Sequence, residues 1–175
     1  MTDRKMPKLL FPMMMAILVI LLTVWGFYAL STGDPLWFQP VPERTYAPER
    51  ITIHYYGEST MLESGDEAFR ELSAALNQSL NDFRGRVSIG LSEVTLQDYR
   101  QKEYVLEVQF SDDVGATVGL NMALNHFLIP VDGRHSGNGY LFVGNNEEWL
   151  ASALIIAAPQ PLFTTLENLG YIPKN

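Results

Sequence analysis

Asp132, Arg134, His135, Ser136 and Asn138 fall within seven positions of one another, in the stretch Asp-Gly-Arg-His-Ser-Gly-Asn-Gly at 132–139. A serine beside a histidine with an aspartate nearby is the raw material of nucleophilic or acid–base chemistry. The spacing does not supply it. Gly-Arg-His-Ser-Gly puts the serine fourth, so the nucleophile-elbow pattern G-x-S-x-G fails. Glycines 133, 137 and 139 do not form G-x-G-x-x-G, and no phosphate-cradling G-x-x-x-x-G-K-[ST] exists. Adjacent His135 and Ser136 would point apart on an extended backbone. Asp-Gly and Asn-Gly are the strongest short-range turn dipeptides, because glycine takes the positive φ that such turns need. The stretch therefore reads as the irregular tip of a hairpin between Phe-Leu-Ile-Pro-Val and Tyr-Leu-Phe-Val. If it binds anything, it does so as a ligand loop made of those five polar residues.

Other chemistry finds less support. The three histidines, His54, His126 and His135, are not spaced as helix-face neighbours, and no H-E-x-x-H occurs. His54 is expected in a surface or cross-strand role, and His126 as a half-buried, hydrogen-bonded side chain beside Phe127. Asp112-Asp113 offers half of an oxygen-ligand calcium site, yet a tight turn needs the same residues and no D-x-[DN]-x-[DN]-G pattern follows. Glu147-Glu148 is explained by helix capping. There is no cysteine, which removes thiolate nucleophiles, thiolate metal sites and disulfides. No catalytic, cofactor-binding or metal-ligating residue is assigned, and the chain reads as a non-enzyme.

The elements that would carry these residues follow from periodicity. Ile51, Ile53 and Tyr55 alternate with Thr52, His54 and Tyr56 as a strand that Gly57 ends. Ser64 to Glu67 fits a capping box. The helix beyond it places Phe69, Leu72, Ala75, Leu76 and Leu80 on one face, with Gly85 as its stop. Val87–Leu96 reads as a strand, as does Glu103–Phe110. Ser111–Gly115 is a turn. His126–Val131 is extended, with Pro130 marking a strand end or an edge. Asn145-Asn146-Glu147-Glu148 reads as an N-cap and first turn, opening a helical region that Pro159 and Pro161 interrupt and Gly170 closes. The order is β-α-β-β-β-α, an α+β domain with a mostly antiparallel sheet and two packed helices over residues 51–175.

Ahead of that domain, Leu9 to Leu30 contains no charged residue over 22 positions. Such a run predicts a transmembrane helix, because ~20 apolar residues span the hydrocarbon layer. Arg4, Lys5 and Lys8 precede it and no basic residue follows before Arg44. The positive-inside rule then places the tail 1–8 in the cytoplasm and the domain outside, in a cell membrane. A cleaved signal peptide is the alternative, with small residues at Ala29 and Ser31, but its apolar core would be shorter. Residues 31–50 hold four prolines and read as an extended, semi-rigid linker.

Charge narrows the partners. Of the net charge of −8, residues 1–30 carry three basic and one acidic residue, leaving −10 on residues 31–175. So acidic a domain repels phosphate backbones, which argues against nucleic acid. The order of anchor, linker and β-α unit, then Leu-Ile-Pro-Val-Asp-Gly, Tyr-Leu-Phe-Val-Gly and Leu-Glu-Asn-Leu-Gly-Tyr, resembles single-pass bacterial membrane-anchored proteins of unknown function, over roughly residues 48–172. The resemblance implies that architecture and no activity.

The expected role is that of an accessory or assembly subunit of a larger membrane complex, for example respiratory or photosynthetic. It would act by contacts with the bilayer and with other membrane-protein subunits, and without a cofactor. The contact candidates are Trp37 and Phe38 in the linker and the adaptable run Met13, Met14 and Met15. The rival is a membrane-tethered binding module for a small ligand or envelope polymer, which requires a concave site lined by Tyr55, Tyr56, Tyr104 or Tyr140. An enzyme is the second rival, and it requires perturbed acidic or histidine groups converging in one pocket.

Overall fold

Hydrophobic alternation drives most of the sheet, and the computed structural model describes it within residues 10–32, 45–145 and 148–171 of the 175. The chain divides into two units, residues 1–42 and 43–175.

In the first unit, helix α1 covers Leu10–Thr32, 23 residues without a charge. Among the described residues no helix is long and apolar enough to cross a membrane. That finding withdraws the transmembrane helix expected over 9–30. The single-pass anchoring and the membrane localisation with an inside N-terminus and an outside domain go with it. Trp37 and Phe38 lie outside the described residues.

The second unit is α+β, as its mixed periodicities require, but it is larger than β-α-β-β-β-α. Seven strands form one antiparallel sheet: β1 Arg50–Tyr55, β2 Glu58–Glu63, β3 Phe83–Val87, β4 Tyr104–Gln109, β5 His126–Asp132, β6 Tyr140–Asn145 and β7 Glu148–Ile156. Their spatial order is β2-β1-β4-β5-β6-β7-β3. Three helices join them: α2 Glu67–Ser79, α3 Glu93–Lys102 and α4 Gln160–Asn168.

One sheet face is the main core. Ile51, Ile53, Tyr104, Leu106, Val108, Phe127, Ile129, Leu141, Val143, Leu154 and Ile156 pack there with Leu72 and Leu76 of α2 and Leu162 and Leu166 of α4. The predicted apolar face of α2 is this contact, with Phe69, Leu72, Ala75, Leu76 and Leu80 all buried. Tyr46 pins the entry to the domain: its hydroxyl donates to the Leu80 carbonyl at 3.2 Å, and its N–H donates to Asn77 Oδ1 at 2.6 Å. The opposite face buries Val105, Leu128, Phe142 and Ala153 beneath Leu96 and Tyr99 of α3. The sheet is thus covered on both sides, which is why β4 and β5 each bury consecutive residues, Tyr104–Leu106 and Phe127–Pro130.

Several boundaries differ from the expectation for local reasons. The N-cap of α2 is Asp66 rather than Ser64; its carboxylate instead accepts the Glu63 N–H at 2.8 Å. Residues 87–96 split into the end of β3 and the start of α3, where Ser92 Oγ caps the helix by accepting the Thr95 N–H at 3.2 Å. Gly85 lies at a bulge in β3 rather than at a helix stop. Residues 148–156 are a strand and not a helix, because Asn145 pairs with Glu148 and turns the chain straight back along β6. Pro130 sits in an interior strand. It is tolerated because the β5–β6 ladder ends at Leu128–Phe142, so its missing N–H is not needed there.

Candidate functional site

The loop that gathers the most reactive residue types is fastened to the domain by those same residues. Tyr56 donates its hydroxyl to Asp132 Oδ2. Arg134 donates from its backbone N–H to Glu103 Oε2 at 2.7 Å and from Nε to Glu103 Oε1 at 3.0 Å. Its Nη2 reaches Asp98 Oδ2 at 3.1 Å. Gly133 has φ +88°, and an added Cβ would lie 2.8 Å from Glu103 Oε2, so glycine is required by both backbone and space. His135 takes φ +66° and packs between Tyr140 and Phe142, its Nδ1 hydrogen-bonded with the Tyr99 hydroxyl. Ser136 Oγ donates back to the Gly133 carbonyl at 2.8 Å, and Asn138 Nδ2 lies 3.4 Å from the Ser136 carbonyl.

The electrostatics agree. Hydrogen bonds from Lys102 and Arg134 hold Asp98 below the ordinary carboxylate range. Asp132 is lowered by Tyr56 and the Gly133 N–H. Burial raises Tyr99. The structure therefore brings Asp132, Arg134 and His135 to partners in the turn after β1 (Tyr56), on α3 (Asp98 and Tyr99) and at the junction of α3 and β4 (Glu103). Ser136 and Asn138 stay within the turn. Within this loop no hydroxyl–imidazole–carboxylate chain forms, because Ser136 donates to backbone and His135 faces a tyrosine. The loop is a clamp.

The other titratable groups are likewise spoken for. His54 Nε2 contacts Glu107 Oε2 at 3.0 Å, which leaves Nδ1 to accept from Ser59 Oγ at 2.9 Å. The expected cross-strand role of His54 is met, though the residue is buried rather than on the surface. Arg100 adds a bidentate contact to Glu107 at 2.7 and 3.1 Å. Burial alone would raise the Glu107 carboxyl, but the bonds from His54 and Arg100 outweigh it and hold it at about 2. His126 is half-buried and bonded to Asn125 Oδ1 at 2.9 Å, and desolvation lowers its pKa. Asp113 Oδ1 accepts the Gly115 and Leu124 N–H groups, both at 2.8 Å, so it closes its own loop. Among the described residues no group of three or more His, Asp or Glu could hold a metal ion.

One place differs. At the hairpin end of the main-core face, Ile53, Tyr55, Glu58 and Thr60 meet Gly170 and Tyr171, which follow α4, and line a cleft of about 300 Å³. The hairpin turn is Tyr56-Gly57, both at positive φ (45° and 97°), the two-residue geometry that matches strand twist. A tyrosine there is unusual; its ring stacks edge-on to Tyr55 at 4.9 Å and its hydroxyl is held by Asp132. Tyr104 lies directly across from Tyr55 in the sheet, ring to ring at 5.2 Å. Tyr104 is fully buried and its hydroxyl has no hydrogen-bond partner among the described residues. Burial, then the neighbouring Tyr171 and Tyr55, raises its pKa.

Of the four tyrosines expected to line a binding cleft, Tyr55 does so and Tyr104 lies beside it. Tyr56 is turned to the clamp, and Tyr140 packs on His135. Glu58 and Tyr171 went unrecognised in the sequence. The alternation that marks strands is absent from Glu58–Glu63, where only Leu62 is buried, and Tyr171 reaches the cleft only through the turn that ends α4.

Comparison with known proteins adds nothing to this geometry: no known family matches the chain, and no curated protein or solved structure matches it.

Proposed function

We propose that the protein is a non-catalytic subunit that works through protein contacts, as an accessory or assembly component of a larger complex, with α1 as its contact element. The observation that carries this is the exposure of α1. Phe11, Met13, Met14, Met15, Ile20, Leu21 and Phe27 are 46–70% exposed, on a helix with no charged residue to make a polar side. A helix apolar all round needs cover, and apolar surface of this extent marks an interaction site. Met13, Met14 and Met15 are flexible enough to fit the irregular side of neighbouring helices. The internal pairing of the reactive groups in the domain supports a role without chemistry.

The test is native-gel separation of a gentle extract, with mass spectrometry of the chains that migrate with this one. Stable co-migration with other chains, weakened when Met13, Met14 and Met15 are all changed to Gln, is the expected result. Migration as a single chain in the unaltered protein would overturn the proposal.

A further inference from the structure

The cleft beside Tyr104 is independent of α1 and carries its own inference. We propose that it binds a compact organic cation, a molecule bearing an ammonium group and a hydrogen-bonding group a few bonds away. Four features converge on that chemistry.

The first is Glu58, whose carboxylate lines the cleft and makes no ion pair among the described residues. The ion pairs that those residues do make use His54, Arg100, Lys102 and Arg134, none of which lines this cleft. The second is the end of α4. Its Gly170 (φ +80°) and Tyr171 N–H groups close back on the Glu167 and Leu166 carbonyls at 3.1 and 2.9 Å, a C-terminal cap that leads the chain into the cleft wall. The last turn carries no basic residue, so the partial negative charge of the helix terminus is uncompensated there. The third is the pair of tyrosine rings, Tyr55 and Tyr171, whose faces attract cations.

The fourth is the Tyr104 hydroxyl. A buried hydroxyl without a partner costs free energy that folding alone does not recover. Its ring packs on Tyr55, and its ionisation responds to both tyrosines of the lining. A ligand hydroxyl or amine seated between them would supply the missing bond. Anions are excluded by Glu58 and by the net charge of −10 on residues 31–175. The volume, near the lower end for small-molecule sites, admits only a compact molecule.

Titration of the full chain with choline, followed by calorimetry and by tyrosine NMR shifts, tests this. The control is 3,3-dimethyl-1-butanol, the same shape without charge. Choline is expected to bind and to shift the Tyr55, Tyr104 and Tyr171 signals, and the neutral analogue to bind at least ~10-fold more weakly. Glu58→Gln, an exposed change that leaves the fold intact, is expected to weaken choline several-fold. Tyr104→Phe is expected to weaken choline while holding or raising the melting temperature. Absence of choline binding at tens of millimolar, equal binding of the neutral analogue, or indifference to Glu58→Gln would each overturn the proposal. In the first case the cleft holds only water.

Discussion

The two faces of the sheet treat polar groups in opposite ways. On the α3 face, matched donors and acceptors form two groups, His54 and Arg100 on Glu107, and Arg134 on Glu103 and Asp98 beside the Tyr99–His135 pair. On the other face, at the hairpin end, the Tyr104 hydroxyl is buried without a partner and Glu58 faces an open cleft. Buried polar groups are nearly always satisfied, so each exception needs a cause. The lesson is that chemical richness and available function separate here. The reactive residue types are concentrated where they hold the fold together. The residues left to act are tyrosines, one glutamate and Arg50, whose Nε is buried without a hydrogen-bond partner among the described residues.

The largest blow to this contrast comes from Glu103→Ala. It strips two hydrogen bonds and an ion-pair contact from Arg134 by removing a buried carboxylate and frees the 132–139 loop. Removing that carboxylate is expected to lower the denaturant midpoint, with hydrogen-exchange protection lost first in that loop. A loss below about 1 kcal/mol would mean that the loop is not clamped.

Acid gives the next effect. Glu107 is held at about 2 in the folded chain against an ordinary 4.5. A lowered folded pKa contributes stability above the unfolded value and loses it as pH falls. The chain is therefore expected to lose about 3 kcal/mol between pH 4.5 and 2, as the carboxylate shared by His54 and Arg100 is protonated. Glu107→Gln is expected to flatten that part of the curve, and an unchanged slope would remove Glu107 from the account.

The smallest effect has the opposite sign. Tyr104→Phe removes an unsatisfied hydroxyl and is expected to raise stability by about 1 kcal/mol, measured by chemical denaturation. A destabilisation of that size would show that the hydroxyl has a partner after all, and the contrast between the faces would fail.

Legibility in the sequence followed burial. Strands β1, β4 and β5 and the buried face of α2 could be read, because each sets apolar side chains against polar ones at its own period. Two of the three strands that were missed or misplaced, β2 and β3, are the two edges of the sheet. Glu-Ser-Thr-Met-Leu-Glu buries one residue, and Phe-Arg-Gly-Arg-Val buries none fully. Edge strands carry charges and bulges that discourage further pairing, and those features erase the alternation that identifies a strand. Strand β7 was hidden differently: Ala-Ser-Ala-Leu-Ile-Ile has helix formers among its strand formers, and only pairing with β6 and β3 decides between them. The cleft was half legible, since Tyr55 and Tyr104 stood in a readable strand pattern while Glu58 and Tyr171 did not.

Composition by itself determined the absence of thiol chemistry, the acidic character of the domain, its mixed helix and strand content, and the turn at 132–139, because these depend on residue type and short-range geometry. Tertiary structure alone decided that Arg134, His135 and Asp132 are consumed by partners 31 to 76 residues away. It also decided that one buried tyrosine hydroxyl is left over. Hydrogen bonds between strands far apart in the chain leave no trace in local periodicity. Whether a polar side chain is spent or free is therefore settled only when the sheet closes around it.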